Sequence, residues 1–161
     1  MTPLFKYTTL LILSFFLVSY THAQKGKLPP FRMMQANGKV FKAENLPMGK
    51  PIIIYYFSPD CDHCQHFTQE MVKKKSALQK ASVVMVSYFP VQEVMQFARK
   101  YGTDKLSNFY IGTEGNSFFL RNYYQLTQIP FLALYDKMGN LKKTYQRNID
   151  INNLLQNLKP L

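Results

Sequence analysis

The sequence predicts an α/β domain in which helices flank a central mixed sheet. Two apolar, β-branched segments, 51–57 and 82–88, are separated by a segment with helical periodicity, which is the pattern of a βαβ unit with a parallel strand pair. A third apolar segment, 131–135, begins directly after a proline and leads into the turn sequence 136–140. This segment predicts a further strand and a hairpin, so we expect parallel and antiparallel pairs in one sheet.

The N-terminus has the pattern of an export signal. Lys6 precedes the apolar run 10–18, and Thr21-His22-Ala23 resembles a signal-peptidase site. The apolar run is shorter than the roughly 20 residues of a membrane-spanning helix, so we expect a cleaved signal peptide at 1–23 rather than a retained anchor. The prediction is therefore one extracytoplasmic domain at 24–161, periplasmic or secreted, without a stable membrane anchor.

The chain is strongly basic. Removal of residues 1–23 takes away one lysine and leaves a net charge of about +10. The lysines are spread along the chain, and the one run, Lys73-Lys74-Lys75, lies near the end of a predicted helix, where cations are favourable. We therefore expect no nucleic-acid partner.

The first half of the domain has clear element signals. Asn37-Gly38 between two short apolar segments predicts an N-terminal β-hairpin. The segment 51–57 lacks alternation, which indicates a central strand covered on both faces. After the turn 58–60 the apolar residues follow helical spacing, and they are Cys64, Phe67, Met71 and Leu78.

The second half continues the alternation. The strand 82–88 leads into a helix at 91–101 that Gly102 ends. An additional α/β insertion is expected between residues 103 and 128, with a short strand at 108–111 and a helix at 118–124. The remaining predictions are strands at 131–135 and 141–147 and a final helix capped by Asp150, with Ile151, Leu154, Leu155 and Leu158 on its apolar face.

The chemistry is expected at the chain's only two cysteines, Cys61 and Cys64. A disulfide between them would close almost no loop and stabilise little, so reactivity explains them better than a structural role. Cys61 falls where a strand gives way to a helix, and unpaired N–H groups at a helix start favour a thiolate. Cys64 lies one turn further on the same face, close enough to attack a mixed disulfide on Cys61.

His63 is a candidate for tuning the pair. A protonated imidazole would stabilise the Cys61 thiolate, whereas Asp60 and Asp62 disfavour it. Each exposed charge contributes about 1 kcal/mol, roughly 20 mV for a two-electron couple, so the charges leave the redox direction open. The simpler reading of His63 is an exposed helix residue.

Zinc binding is the main alternative for a C-x-x-C motif. His66 is the one further ligand type near the cysteines, and no second cysteine pair exists. Three ligands crowded into the start of one helix would make a strained, open site. We therefore expect no metal.

Residues 57–64, Phe-Ser-Pro-Asp-Cys-Asp-His-Cys, together with Ile129-Pro130-Phe131 and the 136–140 hairpin, resemble the thioredoxin superfamily. The 37–40 hairpin and the 103–128 insertion are similar to its extracytoplasmic TlpA/ResA-like, redoxin-like branch. The resemblance implies a thioredoxin-like fold with Cys61 as nucleophile and Cys64 as resolving thiol. It also implies that Pro130 is a cis-proline and that the Ile129 backbone pairs with substrate.

The same resemblance implies a protein disulfide oxidoreductase whose only redox group is the Cys61–Cys64 disulfide. Its expected partners are disulfide-containing exported proteins and an electron-donating thiol protein, with reduction as the expected direction. Tyr55 departs from the family because cytoplasmic thioredoxins place a buried aspartate there, so Cys64 must pass its proton to another group or to water. Glu93 lies near the position of a buried glutamate in some relatives.

Two alternatives on the same fold remain open. A peroxidase would carry a proline where this chain has Ile54, although Ser58 lies three residues before Cys61. A copper chaperone would use a distant histidine ligand, and the chain after residue 23 contains only His63 and His66.

Overall fold

Seven strands form one mixed sheet in the order β2-β1-β5-β4-β3-β6-β7. This computed structural model describes residues 26–161, so the predicted signal peptide lies outside the described residues. The strands are β1 (Arg32–Met34), β2 (Val40–Lys42), β3 (Ile52–Tyr56), β4 (Ser82–Ser87), β5 (Phe109–Thr113), β6 (Phe131–Tyr135) and β7 (Leu141–Gln146). The helices are α1 (Asp62–Lys73), α2 (Lys75–Leu78), α3 (Val91–Tyr101), α4 (Phe119–Tyr123) and α5 (Ile151–Leu158).

The N-terminal hairpin forms where Asn37-Gly38 predicts it. β1 and β2 pair antiparallel, with Met34 opposite Val40. Gly38 has φ +75°, a left-handed conformation that glycine adopts without a Cβ clash. The hairpin joins the main sheet through one antiparallel pair, Met34 with Thr113.

The predicted βαβ unit forms the centre of the sheet. β3 and β4 are parallel, and every residue of both strands is buried. β5 continues the parallel set beside β4, whereas β6 pairs antiparallel with β3. The fold class predicted from the sequence is therefore confirmed: a central mixed sheet flanked by helices.

Each face of the sheet has its own core cluster. The first core cluster lies under α1, α3 and α5 and includes Tyr55, Cys64 and Phe67. The second core cluster lies under α4 and the N-terminal hairpin and includes Phe31, Tyr56 and Leu120. The pleat of β3 explains the division, because Tyr55 and Tyr56 are adjacent and must point to opposite faces.

The insertion between residues 103 and 128 contains a strand and a helix, as expected, but with shifted bounds. The strand runs to Thr113 rather than ending at 111, because Gly112 and Thr113 still pair with β4. The helix α4 is shorter than 118–124, because Phe118 has φ +45° and stands outside the helix. The predicted helix after Cys61 is also interrupted at Lys74, which has φ −100° and ψ 18°.

Among residues 26–161, no helix is both long enough and apolar enough to cross a membrane.

Candidate active site

A turn of four residues carries the chain from the end of β3 to Cys61. The Cys61 N–H donates to the Ser58 carbonyl oxygen at 3.3 Å, and the Ser58 hydroxyl bonds to the Asp60 carboxylate. The side-chain amide of Gln65 donates to the Pro59 carbonyl oxygen at 3.0 Å. These contacts fix the turn, so the first cysteine is held at the edge of the sheet rather than on a free loop.

Cys61 is the residue that caps α1. Its backbone is extended, and its sulfur accepts a hydrogen bond from the Cys64 N–H at 3.2 Å. This N–H is one of the donors that a helix start leaves without a backbone partner. The cap therefore directs a backbone donor at the sulfur that would act as the nucleophile in exchange chemistry.

The two sulfur atoms face each other. The distance between Cys61 Sγ and Cys64 Sγ is 2.6 Å, and both are free cysteines in this structure. Cys61 is half-buried, whereas Cys64 is fully buried. Only the first sulfur is therefore open to an incoming disulfide, and the second is placed to attack the first.

Cys64 is held in its neutral form by its surroundings. Burial raises the pKa of the Cys64 thiol well above its usual range, and the hydrogen bond and charge of Cys61 raise it further. The backbone of Ser58 and the hydroxyl of Tyr55 lower this pKa and so favour the anion. Cys64 must therefore lose a proton when it attacks, and these two groups assist that loss.

Tyr55 lies directly beneath the cysteine pair, fully buried in the first core cluster. Its hydroxyl donates to the Cys64 carbonyl oxygen at 3.0 Å. Burial raises the pKa of Tyr55 well above its usual range, with a further contribution from the charge of Cys64. The phenol thus remains a neutral hydrogen-bond donor at the position where the sequence departs from thioredoxins.

His63 and His66 are both exposed on the first turns of α1, and so is Asp62. Asp60 is exposed in the preceding turn. Glu93 is exposed in the first turn of α3, so it does not supply a buried carboxylate. Across the described residues, no group of three or more His, Cys, Asp and Glu side chains is arranged to hold a metal ion.

The Ile129–Pro130 peptide bond is cis and immediately precedes β6. Tyr56 of β3 pairs with Phe131, so this bond lies at the sheet edge from which the chain leaves β3 toward Cys61. Pro130 is buried and Ile129 is half-buried. Ile129 packs against both core clusters, the one that contains Cys64 and the one that contains Tyr56.

Sequence reasoning missed a buried carboxylate near this edge. Glu114 is only 8% exposed, and its carboxylate accepts hydrogen bonds at 2.7 Å from the Tyr56 hydroxyl and the Leu120 N–H. A third, longer bond of 3.4 Å comes from the Arg121 N–H. Glu114 falls in a loop far from its partner Tyr56, so no local pattern in the sequence marked it.

This geometry defines a thioredoxin-fold protein with a C-x-x-C dithiol. A family model described as the AhpC/TSA family matches residues 25–153, and the chain belongs to this family. A search of curated proteins finds no match.

Solved structures with this fold include a secreted Mycobacterium tuberculosis disulfide oxidoreductase described as homologous to Escherichia coli DsbE. It is 17% identical, with 82% of this chain and 96% of that chain covered and a TM-score of 0.67. A thioredoxin-like protein from Aeropyrum pernix is 16% identical, with 82% of this chain and 89% of that chain covered and a TM-score of 0.66. StoA from Bacillus subtilis is 18% identical, with 80% of this chain and 96% of that chain covered and a TM-score of 0.60.

Proposed function

We propose that this protein is a thiol-disulfide oxidoreductase that reduces disulfides in exported proteins. The observation that carries the proposal is the pairing of one accessible and one buried sulfur at 2.6 Å. Membership of the AhpC/TSA family and the thioredoxin-like neighbours support redox chemistry at this site. The pair itself is the redox group, so no further cofactor is proposed.

The reaction proceeds by two exchanges. The Cys61 thiolate attacks one sulfur of a client disulfide, which breaks the client S–S bond and releases one client thiolate that takes a proton from solvent. Cys64 then loses its proton and attacks Cys61 Sγ. The mixed disulfide breaks, the second client thiolate leaves and is protonated, and the protein is left with the Cys61–Cys64 disulfide.

The cycle needs a source of electrons. A partner protein with a dithiol would attack the Cys61–Cys64 disulfide and become oxidised in turn, which restores both thiols for the next client. Ile129 and Pro130 are proposed to dock an extended client segment, because they lie at the edge of the sheet that presents Cys61. His63 is proposed to tune the pair from its exposed position between the cysteines.

The proposed location is extracytoplasmic. The apolar run 10–18 and the Thr21-His22-Ala23 step support export, and the similar Mycobacterium tuberculosis protein is described as secreted. Fractionation of cells that produce the full chain, followed by sequencing of the mature N-terminus, tests this proposal. Recovery from the cytoplasm with an intact N-terminus would contradict it.

The two cysteine variants test the assignment of roles. Cys61→Ser should abolish reduction of a disulfide-bonded protein such as insulin, because the accessible nucleophile is gone. Cys64→Ser should retain the first exchange and accumulate a covalent complex that a reducing agent dissolves on a gel. Normal turnover by Cys64→Ser, or consumption of hydrogen peroxide at a higher rate than disulfide, would overturn the proposal.

The reduction potential of the pair tests the direction. A reductase should have a potential near that of thioredoxin, about −270 mV, whereas a disulfide-forming catalyst lies near about −120 mV. Equilibration with glutathione or dithiothreitol buffers, with the thiols counted by mass after alkylation, gives this value. A potential near the oxidising end would reverse the direction proposed here and leave the dithiol chemistry in place.

A further inference from the structure

A small pocket opens beside the Ile129–Pro130 bond on the sheet face opposite the α1 helix. It has a volume of about 150 Å³, and its lining includes Tyr56, Tyr88, Arg121 and Ile129. Small-molecule and cofactor sites usually measure about 300–1,000 Å³. The pocket therefore suits one amino-acid side chain rather than a cofactor.

The pocket belongs to the same edge of the fold as the cysteines. Ile129 lines it and also packs against the first core cluster, to which Cys61 is packed. Tyr56 lines it from the end of β3, and Cys61 follows β3 after a short turn. A client segment that runs along Ile129 next to its disulfide would therefore pass over the pocket.

Arg121 gives the pocket a positive charge. Its guanidinium carbon lies 5.5 Å from the ring centre of Tyr88 and 5.9 Å from that of Phe118, which is the range of a cation–π contact. In the part of the chain that the structure describes, no carboxylate oxygen lies within 4.0 Å of the guanidinium. The aromatic rings thus orient a cation whose donors remain available for an acidic ligand.

The segment that carries Arg121 is held in place at some conformational cost. Phe118, directly before α4, has φ +45°, a left-handed conformation that is unfavourable for a non-glycine residue. Gln125, with φ +53°, follows the end of α4 in the conformation that commonly ends a helix. Glu114 secures the start of α4 through its bonds with the Leu120 and Arg121 N–H groups. Contacts at both ends of α4 thus hold the backbone at Arg121, since the Leu126 N–H donates to the Arg121 carbonyl oxygen at 2.9 Å.

The Glu114 carboxylate contacts Tyr56, which lines the pocket, and its oxygens are already occupied by Tyr56 and by the two backbone donors. The charge of Arg121 still acts in the pocket, since it lowers the pKa of the Tyr56 hydroxyl against the larger effects of burial and of Glu114. The charge of Glu114 reduces the positive potential that Arg121 creates in the pocket, but the Glu114 carboxylate does not take up the guanidinium donors. An acidic side chain of a client complements these unused donors.

We propose that Arg121 and the pocket beside Ile129 select client proteins with an acidic residue close to the disulfide that is reduced. This inference rests on the proposed function and names the class of client. The fork of donors on an arginine side chain matches a carboxylate in two parallel hydrogen bonds. A glutamine in the client would keep the shape of glutamate and lose the charge.

The experiment uses disulfide-bonded peptides that differ only by Glu or Gln, placed in turn at each of the three positions on either side of the cysteine. The wild-type protein should reduce the best-placed Glu peptide with a kcat/KM roughly tenfold above that of its Gln partner. Arg121→Gln should remove this preference while reducing the Gln peptide as before. Arg99→Gln, an exposed arginine on α3, should behave like the wild type.

A charge swap adds a second readout. Arg121→Glu should prefer a Lys peptide over the Glu peptide, and circular dichroism checks that its fold is unchanged. If this substitution unfolds α4, Arg121→Lys replaces it. The preference of Arg121→Lys for Glu over Gln should lie between that of the wild type and that of Arg121→Gln. Equal turnover of Glu and Gln peptides at every position by the wild type would overturn this inference and leave the proposed function standing. Failure to reduce any peptide or protein disulfide would overturn the proposed function, and this inference with it.

Discussion

The hydroxyl of Tyr55 donates to the carbonyl oxygen of Cys64 at 3.0 Å from inside the first core cluster. The same hydroxyl lowers the pKa of the Cys64 thiol against the larger effect of burial. A neutral phenol at this place cannot accept the proton of Cys64 as a carboxylate would. By turning its O–H from the Cys64 carbonyl oxygen toward the sulfur, it can stabilise the thiolate as the thiolate forms, which makes Tyr55 a positioning residue for the second exchange.

The variant Tyr55→Phe removes this hydroxyl and keeps the ring. We expect release of a client mixed disulfide to slow by about tenfold, which corresponds to roughly 1.4 kcal/mol of lost stabilisation of the Cys64 anion. The pH at which release reaches its maximum should rise, because the thiolate becomes harder to form. Single-turnover kinetics of a preformed mixed disulfide over a pH series measure both effects.

Tyr135→Phe is the matched control. Tyr135 is also fully buried and bonds to the hydroxyl of Tyr124, but it belongs to the second core cluster. Each variant loses one hydrogen bond, so the free energy of unfolding should fall by about 1 kcal/mol in both. Only Tyr55→Phe should change the release kinetics. Parallel pH profiles for the wild type and Tyr55→Phe would show that the residue serves stability alone.

The raised pKa of Cys64 predicts how stability depends on pH. In the unfolded chain a cysteine titrates near pH 8.5, whereas the folded protein keeps Cys64 protonated above that pH. The unfolded state therefore binds fewer protons there, so the contribution of Cys64 is fully present below about pH 8.5 and declines as pH rises, by up to about 1.4 kcal/mol per unit. Urea unfolding of the fully reduced protein between about pH 7 and 10 measures this decline.

The oxidised protein supplies the comparison, since a disulfide has no thiol to titrate. The unfolding free energy of the oxidised form minus that of the reduced form should increase as pH rises through this range, because only the reduced form loses the contribution of Cys64. The raised pKa values of Tyr56, Tyr124 and Tyr135 have no contribution from the cysteines, so these residues contribute equally to both forms. Tyr55 owes part of its raised pKa to the cysteines, so the comparison is made below about pH 9, before a tyrosine in the unfolded chain titrates. A pH-independent difference would mean that Cys64 titrates at the same pH in the folded and unfolded chains.

Much of the fold was predictable because its signals are local. The bounds of α3 and β6 agree with the predicted 91–101 and 131–135, since Gly102 ends the helix with φ +72° and Asp136 anchors the hairpin turn after the strand. The C-x-x-C motif and the buried-strand pattern before it likewise needed only a short window. These features depend on neighbours a few positions apart, which a sequence displays directly.

The pocket beside Ile129 was not predictable for the opposite reason. Glu114 is stabilised by Tyr56, which is 58 positions earlier, and α4 lies between two residues whose left-handed backbone their sequence does not favour. A tertiary contact of this kind lies outside what a single sequence displays. The interruption of the predicted helix at Lys74 was also missed, because the local apolar pattern alone would continue the helix.

His63 is exposed between the two cysteines, so its effect on the redox pair must be electrostatic. Replacing it with Gln should lower the reduction potential by about 20 mV, because a protonated imidazole stabilises the Cys61 thiolate and thereby the reduced form. Glutathione titrations of both proteins at the same pH measure the difference.

His66→Gln is the control, since His66 is exposed one turn further along the same helix. Its potential should match that of the wild type within a few millivolts, given the greater distance from Cys61. A higher potential for His63→Gln, or an equal change in both variants, would contradict a specific role for His63.

Gly112 limits how closely the N-terminal hairpin approaches the main sheet. A Cβ at this position would lie 2.6 Å from the Met34 carbonyl oxygen and 3.0 Å from the Met33 side chain, which is buried. Gly112→Ala should therefore destabilise the protein by about 1–3 kcal/mol, because β1 must shift away from β5. Gly26→Ala, where the added Cβ meets open space, should leave the urea midpoint unchanged. The reduction potential of the cysteine pair should be the same in both variants, since the hairpin packs on the second core cluster. Equal urea midpoints for the two variants would contradict the prediction and show that β1 can move without loss of stability.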